Sequence, residues 1–415
     1  YLREEKFMDK MADVLGRAGA WCGQNKYLSA IKNAFQNFMP LTIAGAIGVL
    51  WCNVLVNDQT GLGLFFKPIM ALDFLNPAFQ AVNFCTISCI TVGITLGIAQ
   101  EIGVWNMGAE RAGYIPGLVG LAAWLSVTNT SHMVEGAKEA FTGIAGNELG
   151  ATGLFTGMII GVLSVELFCF FEKQDALKIK MPEQVPPGVA RAFEVLVPAT
   201  ITLIITACIG SACYNLTGLY LNDVIKNGIQ GPLGAVGATI PGVMIIYLVI
   251  MLFWLVGIHG NNMLSAVKEA LFTPLALENV EKFNKGEKPT NIINMYALQM
   301  WGEFGGSGVT IGLVIAIMIF GKREDNKAIA TLSLVPGLFN INETVTFGVP
   351  MVLNPILGIP FVVAPLITII IGYVLTVIGF CPVACLTVPW TTPPIVFGFL
   401  ACGANVMGAV TQAIL

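Results

Sequence analysis

The run LFNINETVTFGVPMVLNP at 338–355 sets Asn340, Asn342 and Glu343 inside an otherwise apolar stretch from Leu332 to Phe380. A carboxylate at bilayer depth costs a few kcal/mol on insertion scales, so it faces a cavity or a partner rather than lipid. Gly348, Pro350, Pro355 and Pro360 follow closely and interrupt any single helix there. Interrupted backbone at that depth must line protein or water, because lipid satisfies no N–H or C=O. A second interruption, GIHGNN at 257–262, follows the apolar run Val243–Val256. Two broken apolar segments, one carrying His259 and the other Glu343, are the pattern of a membrane transport site.

Composition agrees with a membrane setting. The chain is 55% hydrophobic and 11% charged, where a soluble domain carries about a quarter charged residues. Its long apolar runs are glycine-rich and lack a ten-residue alternation, which favours helices over an outer-membrane barrel. A net charge of −4 gives no reason to expect nucleic acid. The 10 cysteines are scattered through apolar runs; Cys85/Cys89 and Cys381/Cys385 have helical spacing, and no C-x-x-C occurs. They read as reduced packing residues rather than metal ligands or disulfides. No metal or other cofactor is expected.

The expected fold class is an all-α polytopic membrane protein. Residues 1–35 interleave Arg3, Lys6, Lys10, Arg17, Lys26 and Lys32 with Phe7, Met8, Met11, Leu15, Tyr27, Leu28 and Ile31. That pattern predicts one or two amphipathic helices on the cytoplasmic membrane face, without a cleavable signal. Candidate spans lie near 40–56, 78–99, 113–128, 151–171, 193–217, 241–257, 308–321, 361–380 and 394–412, with less regular pieces at 328–356. About ten crossings fit. Basic connectors at Lys173–Arg191, Lys282–Lys288 and Lys322–Lys327 are all placed in the cytoplasm by the positive-inside rule. Only one clear span separates the second from the third, so 289–307 must dip and return as a re-entrant or broken segment. Gly153, Gly157 and Gly161, Gly93 with Gly97, and Gly113 with Gly117 mark close helix contacts, inside the fold or at a dimer seam. Pro186–Pro187–Gly188 suggests a boundary between an N-terminal half, 1–190, and a C-terminal half, 191–415. The chain starts on Tyr1 and stops on Leu415 inside an apolar run, and reads as trimmed at one or both ends.

Glu343 and His259 are the candidate reacting groups. A lone carboxylate or histidine is often a satisfied structural residue, but the glycines flanking His259 let backbone approach a ligand closely. Asn261 and Asn262 either contact that ligand or cap the helix starting near Met263. Asn340 and Asn342 either bond sugar hydroxyls or cap the broken helix. Trp301, Glu303 and the Gly305–Gly308 run form a third cluster, and Trp390 offers a second ring; each tryptophan reads equally as an interfacial anchor. Asn147 and Gly150, in GNELG, supply polar backbone at a span entrance. Glu166 lies alone in an apolar run and reads as a helix–helix contact. His132, in the loop TNTSHMVEG, reads as solvated.

The runs KFMDKMADVLGRAG, MPLTIAG, GLFTG, FWLVGIHGNN, GGSG and LFNINETVTFGVPMVLNP resemble the membrane-embedded IIC component of the bacterial phosphoenolpyruvate-dependent sugar phosphotransferase system, lactose/cellobiose/diacetylchitobiose family. The resemblance spans essentially the whole chain and is nearest to carriers of β-linked disaccharides such as diacetylchitobiose or cellobiose. Thr344 stands where that pattern carries proline. The resemblance implies a multi-pass homodimer in the bacterial cell membrane, with re-entrant hairpins, an N-terminal dimerisation half and a C-terminal sugar half. It implies a disaccharide phosphorylated on its 6-hydroxyl beside His259 and Glu343, with phosphate from a cysteine on a separate B subunit. Neither partner domain is fused here, so any phosphotransferase activity is expected only together with the A and B subunits. The competing readings are a proton-coupled secondary sugar transporter and a membrane-embedded enzyme acting on a lipid; the latter would carry a metal cluster or nucleophile motif, and none is found.

Overall fold

The computed structural model describes residues 2–58, 62–132, 141–182, 184–349 and 351–415. Expectations resting on the side chains of Arg3, Lys6, Phe7, Met8 and Met11, on Pro350, and on residues 133–136 lie outside the described residues.

Helices dominate, and the strands among the described residues are a single short ladder pairing Ser131–His132 with Phe141–Thr142. Lys26–Leu55, Ala151–Glu172, Pro187–Thr217 and Ile356–Val377 are each long and apolar enough to cross a membrane. Two further spans arise if each bent pair counts as one: Lys67–Ser88 with Ile90–Met107, bent by 42°, and Leu221–Gly237 with Ile240–Leu255, bent by 76°. Ile115–Val127 and Thr310–Phe320 are shorter apolar helices.

Three readings are corrected. The span 394–412 is two short helices, Val396–Ala401 and Val406–Ile414, because Gly403 and Ala404 adopt φ of +72° and +57° and end the first. Cys381 and Cys385 do not share a helix; Cys381 Sγ lies 4.0 Å from Cys402 Sγ instead. Glu166 is not alone, since its Oε1 is 2.6 Å from Lys26 Nζ.

The polar stretch 289–307 is interrupted as its composition suggested. A short helix, Met295–Gly302, starts on Asn294, whose Oδ1 accepts the N–H groups of Tyr296 and Ala297. Asn279 and Asn294 are fully buried, and both donate to the Ala384 carbonyl. Gln412 Oε1 accepts from the backbone of Ile395 and Gly398 while its amide donates to the Met300 carbonyl. Side-chain amides thus replace the helix hydrogen bonds that irregular backbone loses, as a water-poor setting demands.

The chain packs as two compact units: Tyr1–Gln24, Ile43–Phe84 and Gly234–Leu415 form the first, Asn25–Thr42 and Cys85–Leu233 the second. This division by packing differs from a cut at residue 190, because Pro187–Thr217 belongs wholly to the second unit.

In the second unit helices meet through missing side chains. A Cβ on Gly157 would lie 2.2 Å from Thr95 Oγ1, and one on Gly93 2.1 Å from Phe38 Cε2. These small-residue faces are therefore spent on contacts inside that unit. Four of its charges are spent on one another too: the buried Glu172 carboxylate lies 2.8 Å from both Arg111 and Arg191, and Glu194 bonds the same two guanidinium groups. The first unit surrounds Trp254, Tyr247 and Trp301, all almost fully buried.

Candidate functional site

In the first unit, the helix Ile240–Leu255 unwinds at Val256–Ile258, with Gly257 at φ +81°. His259 follows as the N-cap of the turn Gly260–Met263, and its Nδ1 accepts from the Asn262 N–H at 3.2 Å. An imidazole nitrogen that accepts cannot carry the proton, so the hydrogen sits on Nε2. That Nε2 faces Glu343 Oε1 at 3.7 Å, with the side chains 38% and 47% exposed. The separation is too long for a direct hydrogen bond, and a small polar group can contact both. The imidazole is steadied by the Trp254 ring, 4.4 Å away between centroids. Trp254 itself is 1% exposed, with an indole N–H lacking a partner.

Glu343 opens the short helix Glu343–Gly348, and the two asparagines before it hold a turn of the neighbouring segment. Asn340 Oδ1 accepts from Gly305 N at 2.6 Å, while its amide donates to the carbonyls of Trp390 and Thr392 at 2.5 and 3.0 Å. Asn342 donates to the Ser307 carbonyl at 2.7 Å. The turn they hold is glycine by necessity: Gly306 and Gly308 have φ of +90° and +81°, and added Cβ atoms would lie 2.6 Å from Asn342 and 2.3 Å from Phe361. Asn261 reaches the same turn from the histidine side, donating to Ser307 Oγ at 3.0 Å. Its carbonyl oxygen is buried without a partner. One glycine turn therefore ties together the segments that carry the imidazole and the carboxylate.

The remaining candidates take separate places. Asn262 is exposed and uses its N–H on His259. Glu303 accepts from Tyr247 OH at 2.7 Å and from the Lys268 ammonium. Trp301 is 1% exposed and packs on Gly372, so its ring is closed to a ligand in this structure; a side chain at Gly372 would meet the indole at 2.4 Å. Trp390 keeps an exposed ring. Asn147 and Gly150 lie in the second unit, Asn147 exposed and the Gly150 carbonyl accepting from Thr91. Among the described residues, no group of three His, Cys, Asp or Glu side chains could hold a metal ion.

Sequence reading passed over Lys268, Tyr247 and Trp254. Lys268 carried a usable signal, a lone cation just past the histidine motif in a charge-poor chain. The rest are ordinary apolar residues until packing assigns them neighbours.

The phosphotransferase system EIIC family model matches residues 32–365. The chain belongs to the phosphotransferase system EIIC family. It is therefore a membrane-embedded permease component of that sugar-transport system. This EIIC protein is 32% identical to the oligo-β-mannoside-specific EIIC component of Bacillus subtilis (strain 168), covering 99% of this chain and 90% of the relative. It is 30% identical to the cellobiose-specific EIIC component of Lactococcus lactis subsp. lactis (strain IL1403), covering 95% and 91%. Its fold superimposes on the crystal structure of the transporter ChbC, the IIC component from the N,N'-diacetylchitobiose-specific phosphotransferase system. That match has a TM-score of 0.87 and 29% identity over 95% of this chain and 91% of the other. Together these relatives lend no support to a proton-coupled secondary transporter.

Proposed function

We propose that this EIIC permease carries a β-linked disaccharide, diacetylchitobiose or cellobiose, and releases it inward phosphorylated on the 6-hydroxyl. The observation that carries the reading is the facing pair His259 and Glu343, 3.7 Å apart and half-exposed in a membrane permease whose relatives are specific for cellobiose and diacetylchitobiose. In the proposed step the 6-hydroxyl oxygen attacks the phosphorus of a phosphocysteine on a separate B subunit. The P–S bond breaks, the thiolate leaves, and the hydroxyl proton passes to a base.

The tautomer supports Glu343 as that base. His259 spends its Nδ1 lone pair on the Asn262 N–H, and its Nε2 already bears hydrogen. It can donate to the sugar oxygen but has no free lone pair to accept a proton. Asn261 acts through its grip on Ser307, since its own side-chain carbonyl is buried. Asn340, Asn342 and Glu303 act by holding backbone in this reading, and Trp390 supplies the open ring.

The wider assembly is a homodimer with about ten crossings. In it residues 1–190 dimerise, 191–415 hold the sugar, 289–307 is re-entrant, and the amphipathic N-terminal region lies on the cytoplasmic face. Binding of diacetylchitobiose, cellobiose and lactose to purified protein tests the substrate class. Either of the first two should bind tightest, and tightest binding of lactose refutes the assignment. Vesicles loaded with the A and B subunits in their phosphorylated forms should accumulate sugar phosphate, and free sugar accumulating without them refutes the coupling.

A further inference from the structure

Lys268, Glu303 and Tyr247 form a buried polar triad in the first unit, beside the glycine turn. Lys268 is 5% exposed on the helix Ser265–Asn284, and Tyr247 is 1% exposed on Ile240–Leu255. Glu303 caps the end of Met295–Gly302 and receives both the Lys268 ammonium and the Tyr247 hydroxyl on Oε1. The ammonium also stands 5.6 Å from the Tyr247 ring centroid. A cation this deep in an apolar chain is retained only with its counter-charge, and the carboxylate is equally dependent on it.

The position of Glu303 has consequences along the chain. Its carbonyl accepts from Gly306 N at 3.1 Å and so starts the turn. Ser307, one residue on, holds Asn261 through its hydroxyl and Asn342 through its carbonyl. Asn261 is two residues from His259, and Asn342 immediately precedes Glu343. The triad is thus the anchor from which both reacting groups are set. The charges at the site divide accordingly: Glu303 is balanced by Lys268, whereas Glu343 faces an imidazole that is neutral while Nδ1 accepts.

We propose that Lys268 is a positioning residue: it neutralises and pins Glu303, fixes the Gly305–Gly308 turn, and thereby sets the spacing of His259 and Glu343 around the 6-hydroxyl. The role rests on the phosphotransfer reading of that pair but not on which sugar is carried. Glu303 in this scheme serves the turn, and does not itself hold sugar hydroxyls.

The test is a charge-removal cycle on the full chain, probed with the disaccharide the wild type binds tightest from a panel of β- and α-linked sugars. A panel won by an α-linked sugar refutes the substrate class and leaves this test intact. Lys268→Met and Glu303→Gln should each weaken binding about 10- to 100-fold and lower phosphorylation turnover at saturating sugar. The double variant Lys268→Met/Glu303→Gln should return to within about threefold of wild type in both, because the two partners of the ion pair are removed together. A double variant as defective as Glu303→Gln alone shows that Glu303 contacts sugar and overturns the proposal. So does a rise in KM for the single variants with kcat unchanged. Tyr247→Phe, which removes one hydrogen bond and no charge, gives a milder loss in the same direction, and an unaltered Tyr247→Phe also counts against the anchor.

Discussion

The two compact units use polar atoms in opposite ways. In the second, helices run long, glycines bring them close, and charged groups cancel in a closed set around Glu172 and between Lys26 and Glu166. In the first, helices are broken at Gly257, at the Gly305–Gly308 turn and at Gly403, and asparagines and glutamines are consumed in mending the breaks. What remains over there, the half-exposed His259–Glu343 pair, is what a ligand can use. An unbroken helix satisfies its own backbone and exposes no such surplus, so the site falls where regular structure is given up.

That contrast can be broken most directly at Glu343. Glu343→Gln should cut phosphorylation turnover about a thousandfold while sugar binding changes by less than about tenfold. Binding lost to the same degree would make Glu343 a recognition group instead. Next in size is Gly308→Val, which forces a branched side chain into φ +81° and against Phe361. Sugar affinity should fall about a hundredfold, read by equilibrium binding, because the turn between imidazole and carboxylate is displaced.

In the second unit the expected loss is of stability rather than affinity. Glu172→Gln leaves Arg111 and Arg191 sharing only Glu194, and should cost about 2 kcal/mol in thermal unfolding with sugar affinity held within about twofold. A large change in affinity with little change in melting would erase the distinction drawn here. Asn261→Ala removes the amide that grips Ser307, and should weaken sugar binding by about 1–2 kcal/mol. The smallest effect belongs to Gly97→Ala, whose Cβ would stand 3.1 Å from Ala34 Cβ. A shift below about 1 kcal/mol in unfolding, and none in binding, is expected there.

Much of this was legible in the residues. The polar interruptions at 257–262 and 340–343 announced broken segments because charge and proline are intolerable in a lipid-facing helix. The glycine spacing 153, 157, 161 announced a packing face, though not that the partner would be Thr95. Trp301 read as a potential sugar platform, yet Gly372 admits the indole into the core, and an open ring and a buried one have the same sequence signature. Glu166 looked solitary because its partner Lys26 lies 140 residues away.

The sequence by itself determined that the chain lives in a membrane, that two of its apolar segments are broken, and that a histidine and a glutamate ride on the breaks. These follow from local composition and period. Tertiary structure alone decided that the two breaks share one glycine turn and that the His259 Nε2 comes to face Glu343. It also decided that Glu303 is held by a lysine. Each depends on atoms brought together by packing across tens of residues, and no local pattern encodes a distance between segments that only the folded chain makes neighbours.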